Sequence, residues 1–236
     1  MNFDSRSSGV MLHVTSLPGP HGIGDFGPDA YRFVDWLASA KQRLWQWLPT
    51  TPVGPGDSPY QSPSAFAGSP LAVALEPLVE RGWLDGVELP SEPFSSARVD
   101  FRRVIPWREA QLRRAHGGFE ARAAAADRNA FEAWCNGEAS WLDEYALFMA
   151  VFMAHGMKPW WDWAEPLRRR DPKALAQAKK THAAEIAFWR FVQWCWDEQC
   201  RALKRYANAR GIALVGDIPI YVADNSADVW SRPDLY

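Results

Sequence analysis

Between residues 9 and 49 the chain reads as strand, helix, strand, and that succession restricts its fold more than any other feature. The run "GVMLHVTSL" (9–17) is short, apolar and bounded by Gly and Pro, which predicts a buried strand. In "PDAYRFVDWLASAKQ" (28–42), Ala30, Phe33, Val34 and Leu37 recur at the i, i+3, i+4, i+7 spacing of one helical face. Pro28 suits a first helical position, with Asp25 and Asp29 nearby. "RLWQWLP" (43–49) predicts a second strand ended by Pro49. Two strands joined through a helix run parallel, so the chain begins as a parallel α/β fold.

The turn between the first strand and the helix holds Gly22, Gly24 and Gly27 in the spacing G-x-G-x-x-G. That spacing raises the question of a dinucleotide cofactor. A dinucleotide turn puts its first glycine directly after the strand, whereas Pro18, Gly19, Pro20 and His21 intervene here. The second strand ends "WLPTTP" with no carboxylate for a ribose, and Pro28 removes an amide that a phosphate would use. The glycines therefore read as shaping a strand-to-helix loop. A nicotinamide oxidoreductase survives only as a competing reading, open to a titration with NADH.

Downstream, residues 50–70 form a loop rich in Pro, Gly and Ser, long enough to suggest a function or packing across one face. Residues 71–84 hold a short apolar run and a helical turn, and 85–100 are polar. Residues 101–210 read as mostly helix, the last helix stopping at Gly211 after Lys204, Arg205 and Arg210. "IALV" (212–215) then returns to a buried strand. Three strands are too few for a closed (β/α)8 barrel. Either the sheet is open or further strands lie outside the chain.

Two stretches carry polar chemistry. "GDSPYQS" (56–62) packs Asp57, Ser58, Tyr60 and Gln61 into a loop stiffened by Pro59 and Pro63. A ring flanked by donors and acceptors suits a hydroxyl-rich ligand, although the same residues also make a solvated turn. Asp217 directly follows the third apolar run, where parallel α/β folds place ligand-facing groups or hydrogen-bonded structural ones. His13, inside the first strand, is expected to be a satisfied core imidazole. Ser226 is expected to cap a short helix, and the basic run 166–173 to be a solvated loop.

Composition narrows the partners. With 26 basic and 28 acidic residues, the net charge of −2 favours neither nucleic acid nor an anionic membrane. No run is long enough to span a bilayer, and "MNFDSRSSGV" lacks the apolar core of a secretory signal. Cys135, Cys195 and Cys200 show no metal-ligand pairing and suggest free thiols in a cytoplasmic setting. Fourteen tryptophans admit two readings, large core residues or faces on which sugars stack.

Three motifs, "LHVTSLPGPHGIGDFG", "GPGDSPYQSPSAFAGSPL" and "GDIPIYVADNSADVW", resemble the amylomaltase family of 4-α-glucanotransferases. The resemblance covers essentially all of the chain, in the family's order, and about the first half of a typical member. It implies an α/β fold, a (β/α)8 TIM barrel with a helical insertion, represented here by its N-terminal strands and insert. Residues 1–84 would hold the first strands and the binding loop, 85–180 the helical insertion, and 181–236 the long helix and third strand. The implied reaction transfers α-1,4-glucan segments between maltooligosaccharides with retention, without metal or cofactor. Its nucleophile and acid/base belong to later strands, so no catalytic residue is assigned and the chain alone is expected to be inactive. Tyr60 matches the family's stacking tyrosine, with Asp57 and Ser58 in the same loop, and Asp217 matches an aspartate that shapes the sugar site. Pro55 stands where many relatives carry a second-site tyrosine, and Asp224-Asn225 where His-Asp is frequent. The alternative is a non-catalytic glucan-binding module.

Overall fold

The computed structural model of the chain describes residues 6–236. Residues 1–5, part of the stretch read for a secretory signal, lie outside them. The chain groups into two compact units. The first takes Met1–Thr50, Gly68–Ala124 and Cys195–Ile218, so the polar stretch 85–100 lies within it. The second takes Thr51–Ala67, Ala125–Trp194 and Pro219–Tyr236.

In the first unit, strands β1 (Gly9–Met11), β2 (Leu44–Gln46) and β3 (Ala213–Val215) form a parallel sheet in that order. Val10 pairs with Trp45, and Trp45 with Leu214. Helix α1 (Pro28–Ser39) follows β1 as its sequence predicts, with Pro28 in the first turn and Ala30, Val34 and Leu37 buried. Each of the two larger side chains contributes about 1.5–3 kcal/mol by leaving water. They share a core with Leu203, Ala207 and Ile212, closed by Trp45 stacked on Trp47 with centroids 5.2 Å apart. Helices α2 (Glu76–Glu80) and α3 (Phe101–Arg122) complete this unit with the latter part of α8 (Ala183–Ala209). The end of α8 is a left-handed turn at Gly211, with the Ile212 amide donating to the Ala207 carbonyl.

Two strand expectations are corrected. The run 9–17 is not one strand: pairing ends after the Leu12 amide reaches the Gln46 carbonyl, and Val14–Ser16 coil into a 3-10 turn. Nor are the outer strands buried. β1 and β3 each have one neighbour, so Met11 is 60% exposed and β3 is half-buried along its length. Among the described residues there are three strands, and the closed barrel is not present.

The second unit is helical: α4 (Ala125–Gly137), α5 (Ala139–Ala154), α6 (Glu165–Arg168), α7 (Pro172–Thr181), the start of α8, and α9 (Ala227–Ser231). Helix α5 is apolar nearly all round and buries Leu142 and Tyr145–Val151. Trp230 of α9 packs against Phe148 and Trp163 and donates its indole N–H to the Leu167 carbonyl at 3.1 Å. Ser226 caps α9 as expected, its hydroxyl accepting the Val229 amide.

The basic run 166–173 is more than a solvated loop. Arg170 lies over the Trp230 ring at 4.4 Å and pairs with Glu144 at 2.8 Å. Half of the fourteen tryptophans serve as core: Trp45, Trp47, Trp83, Trp163, Trp189, Trp194 and Trp230 are buried. No helix among the described residues is long and apolar enough to cross a membrane.

Candidate functional site

The tyrosine turn is built from short-range bonds within residues 51–62. Two 3-10 turns, Pro55–Asp57 and Pro59–Gln61, follow each other with prolines fixing the first φ of each. Ser58 caps the second, its hydroxyl oxygen accepting the Tyr60 amide at 3.3 Å. The Ser58 carbonyl accepts the Gly54 amide at 3.0 Å, closing the first turn on itself. Thr51 braces the turn from outside by donating its hydroxyl to the Pro59 carbonyl at 2.7 Å. The structure thus brings Asp57, Ser58 and Tyr60 into one rigid turn, with Asp57 exposed at φ +59° and Tyr60 half-buried. Thr51 went unnoticed in the sequence, where a threonine before a proline carries no distinctive signal.

The same segment is anchored further on. The Ala65 amide donates to Asp228 Oδ2 at 2.9 Å, and the Ala227 amide to the Pro63 carbonyl at 2.8 Å. Burial pushes the Asp228 carboxyl above its ordinary range, against the pull of the Ala65 amide. The folded state therefore binds this proton more tightly than the unfolded state does. Stability from this group rises as pH falls from the raised value toward the ordinary carboxylate range, and its penalty is fully present above that window. Asp228→Asn keeps an acceptor for Ala65 and removes the titration. Urea midpoints across the acid range should show wild type gaining on the variant as pH falls. Parallel curves for the two proteins would disprove the assignment.

Asp217 belongs to the first unit, one residue beyond Gly216 at the carboxyl end of β3. It is exposed, and its Oδ1 accepts the Ile218 amide at 2.8 Å. His13 lies two residues past β1 and corrects the expectation of a satisfied core imidazole. Its ring is half-buried, Nδ1 has no hydrogen-bond partner, and burial lowers its pKa, so it is held neutral.

The glycine loop has a structural use. A Cβ on Gly24 would overlap the Val14 and Leu17 carbonyl oxygens, so the loop folds back on the chain before it. The Gly27 amide, at the N-terminus of α1, donates to Asp25 Oδ1 at 2.9 Å. A pyrophosphate would need that amide, and Asp25 already holds it.

Asp25 Oδ2 in turn accepts Nη1 of the fully buried Arg108 at 2.9 Å, and Nη1 also reaches the Val73 carbonyl at 2.7 Å. His21, Asp25 and Glu76 offer ligand atoms all within 4.8 Å of one another, a set that could hold a cation. Arg108 already places a positive charge there. His21 is pushed toward its neutral form by burial first and by Arg108 second, against the opposing pull of Glu76 and Asp25. The three thiols are free and poorly nucleophilic: burial raises Cys135 and Cys200 to about 11 and Cys195 further.

The parallel strands and the helix between the first two make the first unit an α/β fold, a class that takes ligands at strand ends. The chain belongs to the 4-alpha-glucanotransferase family, whose model matches residues 12–236. It is 48% identical over 231 residues to a 4-alpha-glucanotransferase of Thermus thermophilus, covering 98% of this chain and 46% of that protein. A Synechocystis 4-alpha-glucanotransferase is 40% identical over 234 residues, covering 99% of this chain and 46% of the relative. Among solved structures, the amylomaltase from Streptococcus agalactiae in complex with acarbose superposes with a TM-score of 0.90 at 34% identity. It covers 98% of this chain and 47% of that one. The chain spans about half the length of the curated relatives it matches.

Proposed function

We propose that this chain supplies the first strands and part of the sugar-binding wall of a (β/α)8 4-α-glucanotransferase acting on maltooligosaccharides in the cytoplasm. Residues 1–84 and 181–236 contribute strands and the binding loop, and 85–180 the helical insertion. The observation that carries the reading is the tyrosine turn: the Tyr60 amide donates to Ser58, and Thr51 braces the preceding Pro59 carbonyl. A pyranose presents an apolar face to such a ring, and Asp57 and Ser58 supply acceptors and donors for its rim hydroxyls. Asp217, exposed at a strand end of the first unit, is a separate candidate acceptor for a sugar hydroxyl. That a relative of this fold was solved with acarbose, an oligosaccharide, supports a ligand of this class.

Transfer with retention requires two carboxyl groups, one forming the glycosyl-enzyme and one protonating the leaving oxygen, then activating the acceptor hydroxyl. Those groups are assigned to strands outside this chain. The residues present bind and orient the donor glucan so that its scissile bond is held still. No cofactor is required for this chemistry.

Calorimetric titration with maltoheptaose tests the reading. The chain should bind, and Tyr60→Ala should weaken binding about three- to tenfold, the value of one aromatic contact. Absence of binding by wild type, or an unchanged Tyr60→Ala, would overturn it.

A further inference from the structure

Phe66 is 64% exposed, yet its backbone is fixed as tightly as a core turn. Its amide donates to Ser64 Oγ at 3.1 Å, and the Ala67 amide reaches the same oxygen at 3.3 Å. Ser64 is buried and held in place by Ser62, whose hydroxyl donates to the Ser64 carbonyl at 2.7 Å and accepts its amide at 3.2 Å. The Ala65 amide is tied to Asp228. Two buried serines and a half-buried carboxylate therefore fix the backbone that carries an exposed phenyl ring. Exposed phenylalanine brings no stability of its own, so the bracing suits recognition: a ring already immobilised loses little entropy when a ligand lands on it.

The ring does not stand alone. Phe66 and Trp141 of α5 stack, 19° apart in plane with centroids 6.3 Å apart, so Trp141 supports the exposed Phe66 ring. Trp141 is fixed by its indole N–H donating to Glu138 Oε2 at 2.7 Å, and by the edge of Trp134 at 6.4 Å. We propose that Phe66 and Trp141 form a second aromatic platform for an α-1,4-glucan chain, six residues along the same braced segment as Tyr60.

A flat apolar face with a carboxylate at its rim fits a neutral polyhydroxy chain. The pyranose faces stack on the rings, and Glu138 accepts a rim hydroxyl. The groups that brace the two rings are hydroxyls and carboxylates, which suit a neutral ligand rather than a nucleic acid or an anionic surface. The inference rests on the reading of Tyr60 as a sugar-stacking residue and extends it to longer donors.

The test titrates this chain, and its Phe66→Ala, Phe66→Trp and Tyr60→Ala variants, with maltotriose and maltoheptaose. Phe66→Ala should weaken maltoheptaose binding about three- to tenfold and leave maltotriose within about twofold, while Phe66→Trp retains both. Maltoheptaose binding unchanged in Phe66→Ala overturns the platform. So does an equal loss for both sugars, which would put Phe66 in the Tyr60 subsite. A loss shared by Phe66→Trp, together with a lower unfolding midpoint, marks a structural residue and also overturns it. If Tyr60→Ala weakens binding and Phe66→Ala does not, only the platform falls. If wild type binds neither sugar, the reading of Tyr60 falls with it.

Discussion

Truncating Arg108 to alanine should lower the free energy of unfolding by about 3–5 kcal/mol, read from the denaturant midpoint at constant m-value. The guanidinium is fully buried on α3 and satisfies two groups far away in sequence, the Asp25 carboxylate and the Val73 carbonyl. Removing it leaves the buried Asp25 charge without its counterion and the Val73 carbonyl without this donor. Asp25 also holds the Gly27 amide just before α1, so the loss reaches the loop that leads from β1 into the core. Charge and packing can be separated. Arg108→Met with Asp25→Asn removes both charges while keeping side-chain bulk and an acceptor for Gly27. That double variant should be more stable than Arg108→Met alone, which keeps the same bulk, because the main penalty is an orphaned charge rather than a missing attraction. If the two lose the same amount, the orphaned charge is not the penalty and the electrostatic account fails.

Arg108 also marks where sequence reading stops. The alternation of apolar runs and helical spacing over residues 9–49 is a local signal, and it places α1 with Ala30, Val34 and Leu37 inward, as the structure has them. The Ser226 cap is equally local and equally legible. Apolar runs, however, report hydrophobicity rather than pairing. Residues 9–17 look like one strand, but a ladder lasts only as long as its partner, and β2 offers three paired residues. Burial of β1 and β3 depends on neighbouring strands, which no window of local sequence reveals.

Long-range polar contacts are invisible for the same reason. Asp25 and Arg108 are 83 residues apart, and neither is distinctive where it stands. Arg170 sits among three consecutive arginines that suggest solvent, yet a left-handed turn at that residue lays it over Trp230. The tyrosine turn is recognisable as a motif. Its stiffness is not, since that depends on Thr51 and on the space around one glycine.

That glycine, Gly54, carries the second large effect. Its φ of −107° is open to any residue, so the constraint is room rather than conformation. A Cβ there would overlap the Gln61 carbonyl, and Gln61 ends the turn that holds Tyr60. Gly54→Ala must push the Pro59–Gln61 turn away from its base, an overpacking of about 1–3 kcal/mol. The turn sits in a surface loop, so the strain is relieved by moving Tyr60 rather than by unfolding the unit. Maltoheptaose affinity should therefore fall by about three- to tenfold, as on loss of the ring itself, with little change in the unfolding midpoint. Gly56, two residues on, supplies the control. Its φ of +71° makes alanine unfavourable there by about 1–2 kcal/mol, but nothing lies within 4 Å of the added methyl. Gly56→Ala strains an exposed turn without displacing Gln61, so it should alter stability and spare binding. The two substitutions add the same methyl and should affect opposite observables. If Gly54→Ala binds maltoheptaose as wild type does, Tyr60 is not held by the packing of this turn, and its pre-set position cannot be what recognises the sugar.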